Sequence, residues 1–264
     1  MVSTLVAEPI AKVKIDPPIW KEGQVGIDWV ALRLSPIFYG IGVPRAETKQ
    51  GLVLIPGFLS SDVISMGDLF FWLMRIGYIP FMSKIGTNAK CFDQLSIALE
   101  YTVNKAVEQT GKRVWLMGHS LGGIIARSAA SRWPDKVSGV INLGTPIRSV
   151  VGHTLMMRIA DFVRDEIHRR QPLGEENPNC FTQQCICPAV SAFNSGVICE
   201  AVHRAAVYTK NDGVVDWQDC LEDNPDLNYR AVSLCHNSLV CSPSSFRVIA
   251  YIMHTWQVED YLSA

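Results

Sequence analysis

The sequence predicts an α/β fold built on a mostly parallel, doubly wound sheet. Three observations predict it. Between residues 51 and 146, short apolar runs alternate with segments of helical spacing. The apolar runs are close to continuous, as strands covered on both faces are. The 264 residues, 48% hydrophobic and 19% charged, are enough for one large core and too apolar for a disordered chain.

The elements follow in order. Residues 1–50 hold several prolines and no strong period, and read as an N-terminal wrap with a short helix at "GIDWVALRLS" (26–35). "GLVLIPG" (51–57) reads as a buried strand. "DVISMGDLFFWLMRIG" (62–77) has helical spacing, with Asp62 as N-cap and Gly77 as the stop. "YIPFM" (78–82) is a short strand whose Pro80 suits an edge. The stretch 91–113 reads as a long amphipathic helix that stops at Gly111. A strand at 113–118, a small-residue helix at 121–133 and a strand at 136–146 complete the alternation.

From 147 to 203 the pattern fails. The spacing predicts a helix over 156–170 and irregular chain over 171–188. The stretch is too long for a plain loop and reads as a lid or cap insertion over one end of the sheet. Strands resume at 204–210 and 229–235, and a helix at 245–256 closes the chain. The whole of 1–264 reads as one domain.

Bulk properties exclude several classes. A net charge of −1 offers nothing to a polyanion, so no nucleic-acid partner is expected. The richest apolar stretch, 69–82, is broken by Arg75, Gly77 and Pro80, so no integral membrane segment is expected. The N-terminal residues lack the basic and apolar blocks of a signal peptide. Eight cysteines are present, and only Cys91 precedes residue 180. Cys180, Cys185 and Cys187 lack a clear fourth zinc ligand, and no metal or cofactor is expected. A disulfide from this cluster to Cys199 or Cys220 and buried free thiols stand as equal readings.

The chemistry is carried by "VWLMGHSLGG" (114–123). Gly118-His119-Ser120-Leu121-Gly122 satisfies G-x-S-x-G between a predicted strand and a predicted helix. A sharp turn there would strain the backbone at Ser120 and present its hydroxyl above the sheet. Side chains at 118 and 122 would collide with neighbouring chain, which calls for glycine.

Together with "LVLIPGFLSSD", "VYTKNDGVVDW" and "LCHNSL", the long stretch "TGKRVWLMGHSLGGIIARSAASRWPDKVSGVINLGTP" resembles the α/β-hydrolase fold family, in particular its bacterial lipases and esterases. The resemblance runs from about Gly51 to the C-terminus. It implies a Ser-Asp-His chain order, with Ser120 as nucleophile, Asp212 as acid in the Asp-Gly-x-Val turn, and His236 as base after the last strand. Asp216 is the rival acid; Asp219, Glu222, Asp223 and Asp226 read as surface loop residues. His119, His153, His168, His203 and His254 have weaker claims than His236. The oxyanion donors implied are the amides of Phe58 and Leu121. Many relatives have His-Gly where this chain has Pro56-Gly57, so the usual bracing histidine of that loop is missing.

The implied activity is hydrolysis of a carboxylic ester through an acyl-enzyme, slowing as His236 protonates below about pH 6.5. Acyltransferase, thioesterase and polyester depolymerase share the same triad. A non-catalytic ligand receptor on this fold is the alternative from another class. Leu155, Met156, Ile159 and Phe162 are candidates to line an acyl pocket, or else to pack the insertion onto the core. The expected partner is a small-molecule or lipid ester, met in solution or in transient contact with a lipid surface. A lid would give a rate jump once substrate exceeds its solubility.

Overall fold

The computed structural model describes residues 16–170, 179 and 182–262. Its centre is a six-stranded, wholly parallel sheet in the order β2-β1-β3-β4-β5-β6. The strands are β1 (Gly51–Ile55), β2 (Ile79–Met82), β3 (Val114–His119), β4 (Val137–Leu143), β5 (His203–Tyr208) and β6 (Asn228–Arg230). Every residue of β1, β3 and β4 is buried, which is why these segments read as unbroken apolar runs. β2 lies at the sheet edge, where Pro80 removes no interior ladder bond.

Among the described residues seven α-helices accompany the sheet: α1 (Val25–Leu34), α2 (Asp62–Arg75), α3 (Phe92–Thr110), α4 (Leu121–Arg132), α5 (Thr154–Arg170), α6 (Pro188–Ser195) and α7 (Pro243–Leu262). Alternation along each strand splits the core into two layers. Leu52, Leu54, Trp115, Met117, Ile141 and Val207 face the side of α2 and α7, with Trp72, Phe246 and Trp256. Val53, Ile55, Leu116 and Val140 face α3, α4 and α6. α4 is buried from Gly122 through Ala130, and its glycines, alanines and serine let it lie close to β3, β4 and α6.

Four details differ from the sequence reading, each for a local reason. Ser61, in extended conformation, is the N-cap of α2, and Asp62 is its first residue. The buried Asp62 carboxylate instead accepts from Ser83 Oγ at 2.5 Å and Lys84 N at 2.7 Å, tying α2 to the end of β2. The last strand is only three residues long. After Ala231 N reaches Tyr208 O, the side chains of Thr209 and Asn211 both donate to Ser233 O, and the chain peels off the sheet. Helix α6 begins at Pro188, where the irregular chain expected over 171–188 ends, in a stretch for which no helix was expected. Its signals were Pro188 in the first turn and Gly196 at φ +64° after the last residue.

The fourth difference is Glu222, which is buried rather than a surface residue. It forms an ion pair with the buried Arg127 of α4. Asn228 holds the Glu222 backbone through its N–H (2.8 Å) and its carbonyl (3.0 Å). Breaking a buried pair strands the remaining charge, at a cost of about 3–5 kcal/mol. Glu222→Ala is therefore expected to lower Tm by roughly 10 °C. Arg127→Met/Glu222→Leu, with no charge left behind, should unfold closer to the parent. Urea or thermal melts check this, and a Glu222→Ala midpoint within about 2 °C of the parent would contradict it.

Candidate active site

Ser120 sits at the junction of β3 and α4 with φ +52° and ψ −123°, a conformation that costs a non-glycine residue about 1–3 kcal/mol. The neighbouring glycines are required by contact. A Cβ on Gly118 would lie 2.4 Å from Gly123 Cα, and one on Gly122 would lie 2.4 Å from Ile55 O and 2.5 Å from Pro56 O. The Ser120 N–H donates to Leu143 O at 2.8 Å, which anchors the turn to the adjacent strand.

Asp212 follows β5 and His236 follows β6, and the structure brings their side chains together. His236 Nδ1 lies 2.6 Å from Asp212 Oδ2, with both residues buried. The other carboxylate oxygen, Oδ1, accepts from Val214 N (2.9 Å) and Val215 N (2.8 Å). These two bonds fix which oxygen faces the imidazole. Burial by itself would lower the His236 pKa. The Asp212 charge, the hydrogen bond to it and the Glu22 charge outweigh burial, and the net direction is upward from the ordinary histidine value.

The rival acid is engaged elsewhere. Asp216 caps a short 3-10 helix, Trp217–Cys220, by accepting from Gln218 N at 3.0 Å. Among the other histidines, His119 packs beside His236 with ring centroids 4.7 Å apart and donates from Nε2 to His236 O at 3.3 Å. Burial, with the His236 charge adding, lowers its pKa to about 3, so it is a neutral brace. His203 opens β5, stacks on Trp256 and meets Asp260 at 2.9 Å.

The loop after β1 carries Phe58 and has a brace that the sequence reading missed. Buried Asn88 donates from Nδ2 to Pro56 O at 2.8 Å. Its backbone accepts from Leu59 N and donates to Ser60 O, both at 3.0 Å. Asn88 thus does the work assigned to the absent histidine, from 30 residues further along, where no local signal marks it.

Residues 87–183 match the family model described as alpha/beta hydrolase fold. Solved structures agree over far more of the chain. One of the metagenome-derived lipolytic enzymes LipS and LipT aligns with a TM-score of 0.54 at 14% identity, covering 81% of this chain and 98% of that one. The chain has the α/β-hydrolase fold. A soluble variant of monoglyceride lipase from Saccharomyces cerevisiae, solved with a substrate analogue, shares the same α/β-hydrolase architecture at TM-score 0.51 and 17% identity, over 81% of this chain and 89% of that one. Bacillus licheniformis lipase BlEst2 gives 0.52 and 16%, over 80% and 93%. Comparison with curated proteins gives no match.

In this α/β-hydrolase fold, a cavity of about 630 Å³ opens beside the β3–α4 turn, lined by Ser120, His236, Phe58 and Leu121 together with apolar wall residues such as Phe92, Ile124, Val190 and Phe193. Helix α5 borders it through Met156, Met157, Ala160, Asp161 and Arg164. These positions share one arc of the helix at 100° per residue. Of the four candidate pocket residues, only Met156 is on that arc. Leu155, Ile159 and Phe162 are rotated away; Leu155 and Phe162 are exposed, and Phe162 borders a separate cavity of about 390 Å³ with Cys91 and Gln94. No residue of α5 is buried.

Cys187, Cys199, Cys220, Cys235 and Cys241 are free thiols, and Cys180 lies outside the described residues. Burial pushes the Cys235 thiol up to about 11, which leaves it a poor nucleophile despite its place beside His236. Among the described residues no group of three or more His, Cys, Asp or Glu could hold a metal, and no helix is long and apolar enough to cross a membrane.

Proposed function

We propose that this protein is a serine hydrolase of carboxylic esters, with Ser120 as nucleophile, His236 as general base and acid, and Asp212 as the group that orients the imidazole. The observation that carries the reading is the 2.6 Å contact of His236 Nδ1 with Asp212 Oδ2, on an imidazole that lines the same cavity as the strained Ser120. With Nδ1 held as a donor, Nε2 is left as the proton acceptor.

The steps follow from those roles. Ser120 Oγ attacks the ester carbonyl as His236 Nε2 takes its proton. The amides of Phe58 and Leu121 receive the oxyanion; Leu121 opens α4, where first-turn N–H groups lack helical partners. His236 returns the proton to the leaving alcohol. Water then attacks the acyl-enzyme by the same route and releases the acid. The apolar wall of the cavity suits an acyl chain. The lipase and lipolytic-enzyme neighbours support an ester as the reacting bond.

In this reading the described part of 147–203 acts as a lid or cap; residues 171–178, 180 and 181 of that stretch lie outside the described residues. α5 lines the cavity with Met156, Met157 and Ala160, beside Asp161 and Arg164, while burying none of its own residues. Its start is pinned beside the acid turn by the Gly152–Val215 bridge and by His153 N donating to Val214 O at 2.6 Å.

A panel of p-nitrophenyl esters from acetate to palmitate tests the proposal. Saturable hydrolysis with a preferred chain length is expected, and no turnover on any member would overturn it. The pH dependence is a second check. The base must be neutral, and its pKa lies above the ordinary value, so kcat/KM is expected to fall on the acid side with a midpoint above about 6.5. A flat profile down to about pH 5 would contradict the role of His236.

A further inference from the structure

We propose that Glu22 is a positioning residue, whose single carboxylate clamps the Asp212 turn to the His236 turn and so sets the geometry of the imidazole. The proposal rests on the reading of Ser120, Asp212 and His236 given above.

Glu22 lies in a 3-10 helix, Ile19–Gln24, within the N-terminal wrap. Both carboxylate oxygens are fully engaged. Oε1 accepts from Gly213 N at 3.0 Å and from His236 N at 2.9 Å. Oε2 accepts from Asn237 N at 3.0 Å and from Asn237 Nδ2 at 2.8 Å. Gly213 directly follows the acid, and the other three donors belong to the base and its neighbour. The two turns follow different strands and have no sequence proximity, yet they must hold the 2.6 Å imidazole–carboxylate contact. One anion, bonded to both backbones, couples them.

The surroundings are built for this clamp. A Cβ on Gly213 would lie 2.8 Å from Glu22 Oε1 and 2.7 Å from Pro18 O, so the approach requires glycine. Two further bonds from the same segment reach the same pair of loops. Lys21 Nζ donates to Asn211 Oδ1 at 3.3 Å, and Asp28 Oδ2 accepts from Leu234 N at 2.7 Å. Hydrogen bonds to an ionised acceptor are about twice as strong as neutral ones, and four on one group make a stiff joint.

The clamp is also electrostatic. The groups facing His236 are Asp212 from the loop after β5, Glu22 from the wrap and His119 from the end of β3; Asp161 and Arg164 of α5 line the same cavity. His119 is neutral, so Asp212 and Glu22 are the charges that act on the imidazolium at short range.

Glutamine is nearly isosteric with glutamate but keeps only one acceptor oxygen, and its amide would face N–H groups on the other side. Misplacing a reacting group by about 1 Å costs on the order of 100-fold in rate. Glu22→Gln is therefore expected to lower kcat on p-nitrophenyl butyrate roughly 10- to 100-fold, with KM little changed. The NMR titration of the His236 imidazole, identified by comparison with His236→Gln, should move to lower pH as the charge is removed. A folded Glu22→Gln protein with parental kcat, or with an unmoved His236 titration, would overturn the proposal. A wild-type chain that hydrolyses no ester would sink the functional reading alone, because the titration still judges the clamp. Should Glu22→Gln fail to fold, Asn237→Ala removes one of the four bonds and no backbone donor. A loss in kcat without a change in KM supports the clamp there, and unchanged kcat overturns it.

Discussion

The Ser120→Ala protein is expected to hydrolyse p-nitrophenyl esters about 10,000- to 1,000,000-fold more slowly than the parent, with its fold intact. The reasoning is local. The hydroxyl is the only group lost, and alanine sits in the same strained conformation at φ +52° that serine does. Nothing else in the turn changes, because the close contacts belong to Gly118 and Gly122 rather than to the serine side chain. The residual rate would come from the oxyanion donors and from substrate binding, which survive the substitution. Ser120→Gly sharpens the test. It loses the same activity, but glycine adopts positive φ without strain, so its Tm should equal or exceed that of Ser120→Ala. Steady-state kinetics and thermal melts on the three proteins check both statements. Turnover in Ser120→Ala within tenfold of the parent would remove the serine from the mechanism.

Asp212→Asn is expected to lower kcat about 10,000-fold while leaving KM and the fold nearly unchanged. The two backbone bonds to Oδ1, from Val214 and Val215, are the reason. An asparagine keeps them only by using its oxygen at that position. Its amide N–H₂ is then forced toward His236 Nδ1, which must become an acceptor. The imidazole proton moves to Nε2, and the nitrogen that should take the Ser120 proton no longer can. Asp216→Asn, which touches only the cap of a 3-10 helix, should stay within a few-fold of the parent. Equal losses in the two variants would mean that the acid has been misassigned.

The parts of this architecture that were legible in the sequence are those with a one-dimensional signature. β1, β3 and β4 announce themselves because a parallel strand covered on both faces has no polar position to interrupt it. The turn at Ser120 is legible because Gly118 and Gly122 are dictated by contacts at two to three ångströms. The parts that were missed depend on side chains meeting across the chain. Glu22 and His236 are 214 positions apart, Arg127 and Glu222 are 95, and Asn88 reaches Pro56 from 32. Nothing local distinguishes Glu222 from its acidic neighbours until Arg127 is beside it. The orientation of α5 was similarly hidden. Met156 and Ile159 are both apolar, and only the helix's rotation beside the cavity separates the one that lines it from the one that does not.

The most direct test of the central claim, that Ser120 is activated by an imidazole held by Asp212, is covalent labelling with a fluorophosphonate followed by mass spectrometry of the labelled peptide. The label is expected on Ser120 in the parent protein, to be absent from Ser120→Ala, and to form far more slowly in His236→Ala and Asp212→Asn. Labelling at another residue, or undiminished labelling of Ser120 in His236→Ala, would contradict the account.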